Sequence, residues 1–515
     1  MSLTSVRPSR PLIWHPCIDD LRAAISPNEA VYLVGGAVRD AYLHRPLHDV
    51  DLATPDDGRP LARRLANTFN GAYYPLDNER GVGRALIPWT NEQIIIDVAQ
   101  FRGADLLTDL RERDFTLNAM AVKLTSDPSD QLQAVIDPMG GLADLAAKRL
   151  RACTTHSISS DPVRILRALR ASLQFGLIID PSTRNDLQNY ASTLPQVSAE
   201  RIRDEFFAIL GGPRPAAALA VLNQLGILAY IIPETTAMQR MTQGPPHQLD
   251  VWQHTLSTIS HLDTLLQVIE PQRSSDATAN IQTGTVAFAI SHIRAQLQDH
   301  LAHQWPNERP HRALLMLAAL MHDAGKPATR TVELSMSEKT GEPEEHIRFL
   351  QHEQTGANLI AARANALRLS QDELKRLQAI VKHHMRPHWL ASESPLSSRA
   401  IYRFWRDTGE TGVDICLLAL ADYLGTYGVT LDSQAWIAYV NTIQTLLSRY
   451  FLQHDSAITP PPLLTGQDVL DVFDLKPGPQ IGEILKTLRE SQAIGEINTK
   501  EEALDWVQRF LVDQQ

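Results

Sequence analysis

The chain has 515 residues, long enough for two to four domains with substantial cores, and its composition, 43% apolar and 21% charged, excludes global disorder. A formal net charge of −11 excludes a protein that coats nucleic acid through bulk attraction. No apolar run reaches the ~18 residues expected of a membrane span; Ala313–Met321 is stopped by His322 and Asp323. The three cysteines, Cys17, Cys153 and Cys416, are too widely spaced for a disulfide framework or a zinc cluster. MSLTSVRPSRPLIW lacks a basic segment followed by an apolar core, so the expected compartment is the cytoplasm.

In chain order, Ile18–Ile25 reads as an amphipathic helix. Residues 31–54, VYLVGGAVRDAYLHRPLHDVDLAT, predict a strand, a Gly-Gly turn opening a short helix, and a second strand carrying Asp49 and Asp51. Strand residues at i and i+2 share one face about 6.6–7 Å apart, so both carboxylates can converge on one metal-bound ligand. Gly35 and Gly36 let a backbone come close to phosphates, and the helix start offers free N–H donors to an anion. Arg39 lies one turn into that helix. Glycines, arginine and paired aspartates together describe a site for a nucleoside triphosphate with Mg²⁺. Pro60–Phe69 has a helical pattern, and Gly71–Leu76 and Gly83–Pro88 alternate like hairpin strands. A further strand, Gln93–Phe101, makes Asp97 a candidate third carboxylate. The mixture over Val31–Val122 predicts a small α+β domain.

Leu110–Val122, LRERDFTLNAMAV, sets Thr116 and Asn118 in an apolar run, where buried polar groups need partners. Ile136–Leu145 reads as a tight turn into a helix, and from there the pattern is helical almost to the end. Asp161 followed by Pro162 is a favoured helix start. Arg164, Arg167 and Arg170 then fall on one face with no acidic residue between them, a row suited to a polyanionic partner. Met238–Asp250 reads as a boundary. Beyond it come His254, His322, Asp323, His352, His383, His384 and Asp422, imidazoles and carboxylates suited to Mn, Fe, Co, Ni, Zn or Mg. Spacing leaves His383 and His384 as alternatives for one ligand, and residues 331–353 read as a polar hairpin delivering His352. After His454, the Pro-rich ITPPPLL leads to short helices opened by Gly466 and Gly478.

GG-x-x-RD followed by D-x-D resembles the active-site motif of the class II tRNA nucleotidyltransferase and bacterial poly(A) polymerase family, within the polymerase-β-like nucleotidyltransferases. Arg113–Asn118 resembles the family's RRDFT-x-NA motif, with Glu112 in place of arginine. Ile136–Leu145 fits DP-x-GG-x-x-DL. Ser160–Arg164 resembles ED-x-x-R, with Ser160 in place of glutamate, and Val197–Leu210 resembles the next helical element, with Glu200, Arg201 and Glu205. The H…HD…H…H…D order resembles HD-type metal hydrolases. What the resemblance implies is an α+β fold: a small polymerase-β-like head (mixed sheet plus helices) over 1–150, an all-α neck over 151–237, an HD domain over 250–455 and a helical tail over 456–515.

The same resemblance implies that Asp49 and Asp51, with Asp97, hold Mg²⁺, and that Gly35, Gly36, Arg39 and Arg113 hold triphosphate and sugar. Asp161 and Arg164 would read the base edge, supported by Arg167 and Arg170. Cytosine and adenine both present an amino group beside an acceptor, so one Asp/Arg pair can select them over uracil and guanine. The histidine–aspartate set would hold a divalent transition metal or Mg²⁺ for phosphohydrolysis. The expected reaction is template-independent addition of CCA to a tRNA 3′ end from CTP and ATP, with no membrane partner. Poly(A) synthesis, addition of only CC or only A, and an HD phosphohydrolase with an RNA-binding front half are the alternatives.

Overall fold

The computed structural model describes residues 5–513, apart from 48, 91, 126, 128–130, 271–279, 337–342 and 394. It divides into two compact units, residues 1–201 with 225–227, and residues 202–224 with 228–515.

The first unit is built on an eight-stranded mixed sheet. Its strands are β1 (Ser5–Val6), β2 (Tyr32–Val34), β3 (Asp49–Thr54), β4 (Ala72–Asp77), β5 (Val82–Trp89), β6 (Glu92–Gln100), β7 (Ala121–Lys123) and β8 (Val135–Ile136). They lie in the order β1-β8-β7-β2-β3-β6-β5-β4, and the neighbours are antiparallel except for β3 and β6, which run parallel. The helices of this unit include α1 (Cys17–Ala23), α2 (Gly36–Leu43), α3 (Gly58–Thr68), α4 (Leu106–Arg111), α5 (Gly141–Ala146), α6 (Ser157–Ser160) and α7 (Arg164–Phe175). α3 starts ahead of Pro60 because Asp57 caps it, its carboxylate accepting from the Arg59 N–H at 3.0 Å.

Period-2 alternation separates the two faces of the sheet. Along β5, Gly83, Ala85 and Ile87 are buried, while Arg84 and Leu86 are only half-buried. The buried side takes α3: a side chain at Gly83 would stand 2.9 Å from the Ala62 Cβ, so glycine is needed for that approach. The other side carries the polar residues described below. Leu110–Val122 resolves into the end of α4, a short 3₁₀ turn at Thr116–Asn118 and β7. Thr116 donates to the fully buried Asp144 at 2.7 Å, and Asp144 also binds Arg149 and Arg151 at 2.6 and 2.9 Å.

The second unit is mostly helical. Its core is formed by helices that include Val251–Ile269, His311–Met321, His352–Ala366, Gln371–His383 and Thr411–Tyr427. The last of these is apolar enough for a membrane span by composition, yet most of it is buried inside this unit, and it carries Asp414 and Asp422. Strands Arg330–Met336 and Pro343–Phe349 pair antiparallel as the expected hairpin and lead into His352; the turn between them lies outside the described residues. Three C-terminal helices, Gly466–Phe473, Pro479–Ala493 and Lys500–Asp513, share a cluster that includes Val469, Ile484, Leu488 and Val507.

Deep in this unit, Asp414 accepts from His300 and His311 at 2.8 Å each and from Arg376 at 2.7 Å. Trp305 donates to the other nitrogen of His311 at 3.2 Å, so the His311 proton points at Asp414. These are the partners a buried carboxylate requires.

Candidate functional site

Strand register builds the face on which the paired aspartates stand. Asp51 lies directly opposite Asp97 across the parallel β3–β6 pair; Asp97 lies opposite Arg84, and Arg84 opposite Tyr74. A second row runs Asp49, Ile95, Leu86, Ala72. Both rows occupy the face away from α3. Arg84 grips Asp97 with two parallel bonds of 2.8 Å, a bidentate fork. Burial pushes the Asp51 carboxyl above its usual range; Arg113 pulls it down, Asp97 and Asp49 add to the rise, and Arg39 opposes it. Such a concentration of carboxylates fits a divalent cation, whose charge would favour the ionised forms.

The turn before α2 points at the same place. Gly35 has φ +67° and ψ −129°, a conformation for which glycine is needed. A Cβ there would stand 3.0 Å from Arg113 Nη1 and 3.1 Å from Asp51 Oδ2, so the backbone fills the gap between guanidinium and carboxylate. Arg113 is held from behind by the buried Asp109, which takes its Nε and Nη2 at 3.1 and 2.9 Å. The Nη1 side is thereby left next to Asp51.

Arg39, expected as a triphosphate contact, lies beside the glycine turn, its Nη2 3.4 Å from where a Gly36 Cβ would stand, and is engaged by groups of its own unit. Its neighbour Asp40 takes Nε and Nη2 at 2.9 and 2.8 Å, Asn118 takes Nη1 at 2.7 Å, and the guanidinium lies 4.3 Å over the Phe175 ring. It braces α2 against the Asn118 turn and α7, because a carboxylate one residue away captures it first. Arg164 also differs from the expected open row. It is buried, and its Nη groups donate to the carbonyls of Ser157 (3.0 Å), Glu112 (3.0 Å) and Arg113 (3.4 Å), which fixes the loop carrying Arg113. Arg167 and Arg170 are half-buried on the same helix. Asp161 is held by Arg201 at 2.7 Å. Sequence reasoning missed Arg84, Asp109 and Phe175. Only strand alternation signalled Arg84, since it sits at an outward position of the hairpin.

The second unit gathers most of the predicted histidines. His254, His322 and Asp422 offer ligand atoms within 4.8 Å of one another, and so do Asp323, His352 and His384. Asp323 lies 3.3 Å from His322 Nε2 and 3.5 Å from His352 Nε2, joining the two triads. His384, not His383, belongs to the cluster: His384 is buried and its Nε2 is 3.3 Å from that of His352. His383 instead sits among Lys382, Arg386 and Asp407. The helix containing these histidines ends at this point, and only His384 projects inward, fixed by its Nδ1 on the Val381 carbonyl at 2.7 Å.

The Nε2 atoms of His254 and His322 are buried and make no hydrogen bond, although carboxylates flank them. Unpaired imidazole nitrogens gathered beside carboxylates in this way offer lone pairs that fit a cation. Burial disfavours a charged His322, but Asp323 and Asp422 outweigh it and carry its pKa up to about 10; burial with His322 and His352 drives His384 down to about 3. The sequence did not single out Lys326, 2.7 Å from Asp323, or His388, 2.9 Å from Asp422. Both line a cavity of about 370 Å³ that opens onto the cluster and is walled by Phe349, Tyr427 and His247.

A Gly-Gly turn set against paired carboxylates on a mixed sheet, followed by a helical unit with clustered His and Asp, defines a nucleotidyltransferase that carries an HD domain. Models of known families match in the same order: the Poly A polymerase head domain over residues 31–151, the "Probable RNA and SrmB- binding site of polymerase A" over 176–239, the HD domain over 286–426, and tRNA nucleotidyltransferase domain 2 over 434–507. The A-adding tRNA nucleotidyltransferase of Deinococcus radiodurans is 31% identical, the match covering 93% of this chain and 95% of that protein. The CC-adding tRNA nucleotidyltransferase of Thermus thermophilus is 30% identical over 93% of both. A CCA-adding enzyme solved with CTP has the same fold, with a TM-score of 0.60, 18% identity and 96% of each chain covered. The chain belongs to the tRNA nucleotidyltransferase family. Its nucleotidyltransferase and HD domains imply dependence on divalent metal.

Proposed function

We propose that this chain extends tRNA 3′ ends with the nucleotides of CCA, drawing on CTP and ATP. The observation that carries the reading is the placement of Asp49 and Asp51 on one open strand face, opposite the Gly35 turn and the braced Arg113. Asp49 and Asp51 would hold Mg²⁺, with Asp97 beside them under the control of Arg84. When bound, the ions acidify the terminal 3′-hydroxyl and neutralise the pyrophosphate as it leaves. The Gly35–Gly36 backbone and Arg113 orient the triphosphate so that the hydroxyl attacks the α-phosphate in line. Asp161 reads the base edge, with Arg167 and Arg170 supporting nucleotide or primer; Arg201 holds Asp161, and Arg164 fixes the 112–113 loop beside it. The HD cluster would hold Mg²⁺ or a transition metal and hydrolyse phosphoesters entering the cavity beside Lys326 and His388.

Incorporation on tRNA lacking its CCA tests the reading, with CTP, ATP or both supplied. Two C's, one A and a stop are expected, with Asp51→Asn abolishing all three. A long A tail without C refutes it. A second reading, partial addition, is favoured by the A-adding and CC-adding relatives that match over the whole chain. Under that reading CTP alone gives CC with no response to ATP, or a tRNA ending in CC accepts only A. His322→Ala should remove phosphohydrolase activity and leave incorporation intact.

A further inference from the structure

We propose that the open face of β6, β5 and β4 is the track for the single-stranded 3′ end of the acceptor RNA, with Tyr74 as a base-stacking residue at its far end. This rests on the transferase reading above. In-line displacement puts the attacking hydroxyl on the side of the α-phosphate opposite the leaving pyrophosphate. The phosphate-binding turn follows β2, on one flank of β3, so the pyrophosphate leaves toward β2. The acceptor must then approach from the other flank, where β6, β5 and β4 lie in succession.

That flank has the surface such an occupant requires. Register sets Tyr74, Arg84 and Asp97 in line with Asp51, and Leu86 and Ile95 in line with Asp49. α3 covers only the opposite side of these strands. Tyr74 is 50% exposed and Leu76 48%, both on the edge strand. Single-stranded RNA is held by aromatic and apolar surfaces that accept the face of any base, with arginine planes adding to the stack. Charge complements this. Asp49, Asp51 and Asp97 on one face would repel a phosphate chain, and the Arg84 fork cancels the carboxylate nearest the track. Three strand spacings separate β4 from β3, about 14 Å, the span of about four stacked nucleotides. The track therefore runs continuously from the carboxylates to Tyr74 and matches a short 3′ overhang.

The test uses the full chain and a tRNA ending in CC, with binding followed by fluorescence anisotropy in EDTA so that no chemistry contributes. Tyr74→Ala should weaken binding about 5- to 100-fold, the loss of one stacked base. Tyr74→Phe, which keeps the ring, should bind within about twofold of wild type. A tRNA trimmed to a blunt acceptor stem should not distinguish the variants, and the Kd for CTP should be unchanged. Wild-type affinity in Tyr74→Ala for the CC-ending tRNA overturns the proposal. So does an equal loss for the blunt tRNA or for CTP, which marks a folding defect or a different occupant. A wild-type chain that extends no tRNA at all would refute the transferase reading instead, so the two failures are distinct.

Discussion

Replacing Gly35 by alanine tests the construction of the transferase site at its tightest point. The backbone there has φ +67° and ψ −129°, where a side chain costs about 1–3 kcal/mol. The added Cβ would also stand 3.0 Å from Arg113 Nη1 and 3.1 Å from Asp51 Oδ2. Neither group can retreat freely, because Arg113 is tied to Asp109 and Asp51 is one rung of the β3–β6 pair. A carboxylate or guanidinium displaced by about 1 Å typically costs ~10²-fold in rate. Gly35→Ala should therefore melt lower by roughly 2–12 °C and lose about 10²-fold in single-turnover incorporation of radiolabelled CTP into tRNA. Gly36→Ala is the matched control. Its φ is not positive and the new Cβ meets the Arg39 guanidinium, Nη2 at 3.4 Å and Cζ at 3.9 Å. As the first residue of α2 it should melt at or above wild type and raise the KM for CTP only where its backbone meets phosphate. A Gly35→Ala enzyme within threefold of wild-type kcat/KM would refute the argument.

Metal content should separate the adjacent histidines, with His384→Ala losing bound metal from the HD unit by mass spectrometry and His383→Ala retaining it. Equal retention in both would show that the cluster holds no ion through His384. His300, buried against Asp414 and Arg376 with the exposed Glu410 beside it, has its pKa raised to about 9 by those carboxylates despite burial. A group whose pKa rises on folding stabilises fully below its unfolded value of about 6.5 and loses that contribution as pH climbs through 9. Wild type should accordingly lose up to about 3 kcal/mol of stability between pH 6.5 and 9, read in urea melts. His300→Gln should flatten the slope, and an unchanged slope would refute the assignment.

The hydrophobic alternation of residues 82–100 and the GG and D-x-D spacing made the strands of the candidate site legible, because period and turn chemistry are local properties. The order of His254, His322, Asp323, His352 and Asp422 likewise marked one cluster before any geometry was known. Pairing was not legible. Arg84 meets Asp97 only because β5 and β6 align at that register, and Arg39 turns to Asp40 and Phe175 through contacts no spacing rule encodes. Arg164 looked like part of an open basic row because i, i+3 spacing states which residues share a face, not which face is buried. His383 and His384 differ by 100° around a helix that ends there, so only the fold could choose between them.

The parallel alignment of β3 with β6 also governs when the chain becomes competent during folding. β4, β5 and β6 can assemble as a local meander, but a parallel partner must be brought in across the whole intervening segment, and such pairings form late. Asp51 meets Asp97 only once that non-local pairing has formed. A nascent or partly unfolded chain thus carries both aspartates of β3 without the third carboxylate or its arginine. It has no assembled centre on which to trap nucleotide or attack an RNA end.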